Sequence, residues 1–560
     1  MLPFPNGSEI SAILPEIILV VAMCVALIVP VLPPFRSACR KSHAPMFWIA
    51  LVGLVAAALC AAGLMLGSFG LQPAKGQVFG GMFTVDHFAL TFKVILFVFT
   101  VFVLFLFNTT TRDRIRTVDG PDYITLILGG ALGMSMMASA SNFLTIFLAI
   151  EAASFPSYAL AGFYKTSKRG SEASLKYVLF GAVTSSIMLY GLSMLYGTYG
   201  SLDLVNISQG MAESGMTAGL WIGIVGFMIG LGFKLSAVPM HFWCPDVFEA
   251  APFEVTTFLS VASKGAAVVL LLRVMMTFGF YSGSENVLAI QGISTFVGVI
   301  GLITATWGNL AAYYQTNIKR LLAFSSIAHA GYMIMAAGLA TTTMSGSATN
   351  GNTLAYAILF YITVYCFMNF GAFSVAAIVD RETGSESLED YAGLGVRNPL
   401  LAFMLGCFLL ALFGMPGTGG FWGKVFLGFA MWDQGAWWFV AALVINTVFS
   451  LYIYLKPIII MVWRPAESRT AVVTNPVRGL LIVIAMFGIF ATGLLPDQAT
   501  SWAKTNASII YGPMASMSEA RTNSDSTAAS PEMAVANNRE IDSAAAIVDG
   551  PRRMLEGSTP

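Results

Sequence analysis

The stretch Gly232 to Lys264, GFKLSAVPMHFWCPDVFEAAPFEVTTFLSVASK, decides how this chain is read. It holds Lys234 inside one long apolar segment and Lys264 inside the next, with a proline-broken, aromatic and acidic turn between them. Both segments are long enough to cross a bilayer, where a charge near the helix centre costs about 2.5 to 3.5 kcal/mol on insertion scales. The bland reading is that each lysine extends its ammonium group to the headgroups. Lys234, however, follows the apolar run from Trp221 to Phe233 and still precedes Pro239, while Lys264 follows Phe258, Leu259 and Val261 and precedes Ala266 to Leu272. Neither position is clearly a helix end, and a like arrangement further along the chain favours a buried ionisable relay.

Working outward, 57% of the 560 residues are hydrophobic and 10% charged, with a mean hydropathy of +0.76. A soluble domain carries about one quarter charged residues, so that class is excluded. Apolar segments fall at roughly 11–31, 46–70, 84–108, 121–140, 142–164, 173–198, 218–240, 253–278, 290–312, 321–340, 354–379, 399–429, 435–463 and 478–496. The expected fold is an all-α polytopic membrane protein of about fourteen transmembrane helices. A formal net charge of zero gives no basic field for nucleic acid. The six cysteines are scattered, without CxxC or Cys/His spacing, so neither a metal, an iron–sulfur cluster nor a disulfide framework is expected on this chain. No nucleophile constellation, phosphate loop or cofactor motif occurs, which leaves transport chemistry. The first segment lacks a basic leader and is expected to stay as helix one.

Lysine and arginine collect in the odd-numbered connections: Arg36, Arg40 and Lys41; Arg112, Arg114 and Arg116; Lys165, Lys168 and Arg169; Lys319 and Arg320; Arg464 and Arg469. Those connections are expected to be cytoplasmic, which puts both termini on the periplasmic side. From about residue 513 the chain turns polar and rich in Ala, Ser and Asn, a disordered tail by composition.

Charges inside the spans are few. Glu151 lies about nine residues into the fifth segment and needs a cationic partner, for which Lys234 and Lys264 are candidates. Pro416 and its neighbouring glycines interrupt the twelfth segment just before Lys424, and Pro239 with Gly230 and Gly232 interrupts the seventh around Lys234. Broken helices free backbone groups at membrane depth and suggest inverted repeats. The expected divisions are 1–120, a first five-helix repeat at 121–280, a second at 281–465, a last helix at 466–512 and the tail at 513–560. Alternatively, Gly and Pro merely permit close packing. His329 can pass a proton or simply bond a neighbour. Lys176 reads either as an i,i+4 partner of Glu172 or as a side entrance to the relay. Asp246, Glu249 and Glu254 are expected in a solvated loop or subunit contact, and Lys93 and Arg273 as interface anchors.

The run His241 to Lys264 resembles the W-x-P-D-V-x-E-x-A-P-x-x-V-T-x-F-L-S-x-x-S-K signature of the subunit N family of the proton-pumping NADH:quinone oxidoreductase, respiratory complex I. Similarity extends to RLLAFSSIAHAGYM (Arg320 to Met333), the surroundings of Glu151, EASLKY (Glu172 to Tyr177) and PGTGGFWGK (Pro416 to Lys424). Cys244, Phe248 and Ala250 depart from the commoner Thr, Tyr and Gly, leaving the charged positions untouched. The resemblance implies a proton relay in which Glu151 and Lys234 form a coupling pair, Lys264 is the central lysine and Lys424 serves a second half-channel. His329 would lie on the central axis and Lys176 at a secondary basic position. It further implies that NADH, FMN, iron–sulfur clusters and quinone sit on partner subunits. Those partners would include the antiporter-like subunit M and small membrane subunits of the A, J and K type, in a bacterial inner membrane. The rival readings are a subunit of a multisubunit Na+/H+ antiporter or membrane-bound hydrogenase, and a non-conducting scaffold.

Overall fold

The computed structural model describes residues 7–67, 76–110, 115–164, 167–215, 217–281, 287–340, 348–465 and 476–507. Expectations placed on Arg112, Arg114, Lys165 and Arg469, and on the tail from 513 to 560, lie outside these residues.

Each of the fourteen expected spans is helical. In order they are α1 (Leu14–Ile28), α2 (Ala44–Leu66), α3 (His87–Thr110), α4 (Gly120–Ser139), α5 (Phe143–Ala161), α6 (Lys168–Tyr199) and α7 (Ala218–Leu235). A short helix α8 (Trp243–Ala250) fills the turn that follows. The eighth span is composite, with α9 (Phe253–Phe258), a π-turn (Leu259–Ser263) and α10 (Lys264–Tyr281). Then come α11 (Val287–Ala312), α12 (Ile318–Gly338) and α13 (Ala348–Thr383). The twelfth span is divided into α14 (Pro399–Phe413) and α15 (Gly419–Asp433), followed by α16 (Trp437–Trp463) and α17 (Pro476–Leu494).

Among the described residues eleven spans are long and apolar enough to cross a membrane, and α1 and α14 are shorter apolar helices. The remaining span, α4, is less apolar because it carries Gly129, Gly130, Gly133 and Ser135. Small residues there let backbones touch, and a Cβ on Gly133 would fall 2.3 Å from the Ala153 nitrogen of α5. The connection between α2 and α3 adds a small antiparallel pair, β1 (Gly76–Val78) with β2 (Phe83–Val85).

Helices that are apolar all round belong in an interior. Accordingly, the eighth span and α12 are buried along their whole apolar length, and α13 is nearly so, while α2, α16 and α17 turn large apolar side chains outward. Lys264 and His329 ride on the two most enclosed of the described spans.

Both expected breaks are present. Helix α7 ends one residue after Lys234, where Ser236 adopts a left-handed conformation and Trp243 Nε1 reaches back 3.0 Å to the Phe233 carbonyl. The break therefore falls before Pro239 rather than at it. Helix α14 ends at Phe413, Gly414 and Gly417 take positive φ on either side of Pro416, and α15 resumes at Gly419.

Three expectations are corrected. Lys93 is a buried ion pair with Glu16 at 2.7 Å, not an interface anchor. Arg273 is likewise buried, gripping Asp86 through two bonds of 2.8 and 3.1 Å and the Ala138 carbonyl at 3.1 Å. Glu254 is wholly buried, with the Tyr123 hydroxyl donating to it at 2.5 Å, and belongs to no solvated loop. In each case a partner distant in sequence satisfies the charge, which is what buried ionic groups require.

Candidate functional site: a buried file of lysines and hydroxyls

The broken ends of α7 and α14 bring lysines to places that a continuous apolar helix would not supply. Lys234 is 0% exposed, Lys264 and His329 1%, and Lys424 7%. Lys234 Nζ donates to Ser154 Oγ of α5 at 3.1 Å. Glu151, one turn earlier on α5, accepts a hydrogen bond from Ser185 of α6 and acts on Lys234 through space. The two expected partners therefore share a neighbourhood without a direct ion pair, each held by a serine.

Lys264 opens α10 just after the π-turn, a local widening often found at functional sites. Its ammonium donates to Ser326 Oγ of α12 at 2.6 Å, lies 3.7 Å from Cys244 Sγ and 5.6 Å from the centre of the Phe248 ring. Ser325 beside it is joined to the Tyr454 hydroxyl at 2.6 Å, and Tyr454 to His329 Nε2 at 3.1 Å. His329 Nδ1 meets the Tyr361 hydroxyl at 2.6 Å. His329 also packs against Tyr332, whose ring face lies 5.3 Å from Lys424 Nζ. Lys424 caps the carbonyl freed at its own helix break, donating to Phe413 O at 2.6 Å. The structure thus gathers Glu151 with Lys234, and Lys264, His329 and Lys424 along one buried polar line.

Lys176 is not part of that line. Its side chain is 41% exposed and pairs with Glu172 at 2.9 Å and Asp246 at 3.0 Å. Arg320 completes the surface cluster, reaching Asp246 at 2.8 Å and Glu249 at 2.7 Å. Burial raises the Asp246 carboxyl, but Lys176 and Arg320 outweigh it and hold the group below its ordinary value. The cluster ties α6, α8 and α12 together where Lys and Arg collect.

The sequence reading missed the neutral members Ser154, Ser185, Ser325, Ser326, Tyr361 and Tyr454. Hydroxyls are common in membrane helices, and only their facing directions single them out.

Residues 140–450 match the family described as NADH:quinone oxidoreductase/Mrp antiporter, TM. A relative from Geobacillus sp., NADH-quinone oxidoreductase subunit N, is 34% identical over 469 residues, covering 82% of this chain and 92% of the relative. The chain belongs to the NADH-quinone oxidoreductase subunit N family. The subunit N of Chlorobium chlorochromatii is 34% identical over 531 residues, covering 91% of this chain and 99% of that relative. Among solved structures, a chain of respiratory complex I from Thermus thermophilus with bound aureothin aligns with a TM-score of 0.68 and 31% identity, over 87% of this chain and 98% of that one.

Proposed function

We propose that this chain is the proton-translocating subunit N of a membrane-bound NADH:quinone oxidoreductase. In this reading it moves H+ through buried Glu, Lys and His groups while NADH oxidation and quinone reduction take place on other subunits. One observation carries the reading. Lys234, Lys264 and Lys424 bond to hydroxyl, thiol or carbonyl groups, whereas the buried cations Lys93, Arg273 and Lys319 are locked onto carboxylates. A lysine held only by neutral groups can lose its proton without stranding a buried anion, and an ion-paired one cannot.

The proton relay then runs from Lys234 to Lys264 and on by way of the Ser325, Tyr454 and His329 file toward Lys424. A change of charge in a neighbouring subunit alters the field of Glu151 at Lys234, so that Lys234 gives up its proton more readily. Lys176 serves as a basic group at the surface cluster. The chain carries no redox step of its own and needs no bound cofactor. NADH, FMN, iron–sulfur clusters and quinone are assigned to partner subunits, with an antiporter-like subunit M and small A, J and K type subunits as membrane neighbours. The assigned location is the bacterial inner membrane with the Lys/Arg-rich connections inside and both termini outside. Residues 121–280 and 281–465 are assigned as the two inverted repeats, each with one broken helix. Subunit N relatives at this identity favour this reading over a Na+/H+ antiporter.

The test is quinone-dependent NADH oxidation together with proton uptake in inverted membranes carrying Lys424→Ala, with assembly checked on the same samples. Loss of proton uptake in an assembled complex is expected. Unchanged uptake would remove Lys424 from the route and leave the chain a scaffold.

A further inference from the structure

Glu254 is absent from the relay described above, yet it is wholly buried at the start of the same span that carries Lys264. Tyr123 of α4 donates to its Oε1 at 2.5 Å, and Phe163 stands edge-on to the Tyr123 ring with centroids 4.7 Å apart. The next residue, Tyr164, lines a cavity of about 200 Å³ together with Phe253, Lys319, Asp380, Arg381 and Glu386. Phe253 immediately precedes Glu254 and Tyr164 follows Phe163, which packs on Tyr123, so two elements of the cavity wall lead to the carboxylate, and the cavity holds Lys319 of the Lys/Arg-rich connections. From Glu254 the chain continues with Thr257, Ser260 and Ser263 at steps of three, and then Lys264, all of them at most 1% exposed. Among the described residues Ser263 Oγ has no hydrogen-bond partner. Interior hydroxyls are ordinarily satisfied, so this one has hydrogen-bonding capacity to spare, one residue before Lys264.

We propose that Glu254 is the carboxylate through which protons enter from the cavity on the Lys/Arg-rich side and pass along the Thr257, Ser260 and Ser263 hydroxyls to Lys264. This rests on the relay reading and adds an entry to it. The step balances without an external reactant other than water. A hydronium ion in the cavity gives its proton to the Glu254 carboxylate, leaving water, and an O–H bond forms. That bond then breaks as the proton passes to water held among the hydroxyls, and an N–H bond forms on the neutral amine of Lys264. The distance to be covered along the helix, ten residues, is roughly 15 Å, which several hydroxyls and waters bridge and a single transfer does not.

The experiment compares Glu254→Gln, Glu254→Asp and Lys264→Ala in inverted membranes, with complex content measured alongside proton uptake driven by NADH. Glutamine keeps the volume of the side chain and an acceptor for Tyr123 but cannot carry the proton; aspartate can. Expected is a fall in uptake of about tenfold for Glu254→Gln in an assembled complex, with substantial recovery in Glu254→Asp. A structural role alone would be preserved in the glutamine variant, so unchanged uptake there while Lys264→Ala fails would overturn the entry through Glu254. Should Glu254→Gln fail to assemble, Tyr123→Phe, which keeps the ring packing, is expected to slow uptake, and parental uptake in that variant would overturn the proposal. Unchanged uptake in Lys264→Ala as well would overturn the relay reading beneath it.

Discussion

Lys264 Nζ stands 2.6 Å from the Ser326 hydroxyl, and among the described residues no carboxylate lies within ion-pair distance of it. A buried ammonium supported this way depends on neutral dipoles for its solvation. Ser326→Ala should therefore lower proton uptake while leaving the complex assembled, and Lys264→Ala should lower it further. Measuring both in the same membrane preparation checks the order, and equal, parental rates in the two would contradict it.

The Lys93–Glu16 pair should behave in the opposite way. Removing one partner leaves a charge uncompensated in the interior, at a cost of about 3 to 5 kcal/mol, whereas replacing both by apolar residues of similar size costs much less. Lys93→Met alone should reduce the amount of assembled complex, and Lys93→Met combined with Glu16→Leu should restore much of it. Blue-native gels report the amounts, and a double variant no better than the single one would count against the pair.

At the second helix break the limit is space. A Cβ on Gly420 would lie 1.9 Å from the Ala411 carbonyl oxygen, which is backbone and cannot swing aside. Gly420→Ala should push α15 from α14, cost about 1 to 3 kcal/mol, and lower the unfolding temperature of the solubilised complex. Since the same break positions Lys424 against Phe413, uptake should fall more than the amount of complex does.

Asp246 gives a pH prediction. Its folded pKa lies below the ordinary 3.8, so its contribution to stability is fully present above that value and is lost as pH falls through the lower folded value. Asp246→Asn should lower stability at neutral pH and flatten the acid limb of the stability curve. Thermal melting of the solubilised complex between neutral and strongly acidic pH measures both, and an unchanged acid limb would show the cluster to be energetically idle.

Much of the architecture is legible in the sequence because the bilayer imposes a length: the fourteen apolar runs are helical, eleven of them among the described residues long and apolar enough to cross, and Gly with Pro marked the break before Lys424, while the other break falls three residues before Pro239. The lysines are legible for the same reason, since a charge inside such a run is costly enough to stand out. What surrounds them is not. Ser326 and Tyr454 sit in runs that would read the same with either residue facing lipid, and only three-dimensional register turns them toward Lys264 and His329. Arg273 looked like an interface anchor because Asp86 stands 187 residues away in the chain and at a helix start of its own. Glu254 looked like loop because its neighbours Pro252 and Phe253 punctuate a turn, whereas Tyr123, from another span, encloses it.

The π-turn from Leu259 to Ser263 makes the number of residues in the eighth span matter as much as their identity. A π-turn amounts to one residue inserted into an α-helix. Deleting one residue within it would remove the bulge and leave a regular helix whose two ends keep nearly their present register, whereas a deletion in the α-helical part before it would turn Lys264 by about 100° about the axis, taking its amine off Ser326. A change of count is therefore tolerable within the turn in a way that it is not before it. A deletion in the α-helical part before the turn would disconnect the lysine from its neighbours while leaving every residue of the file present.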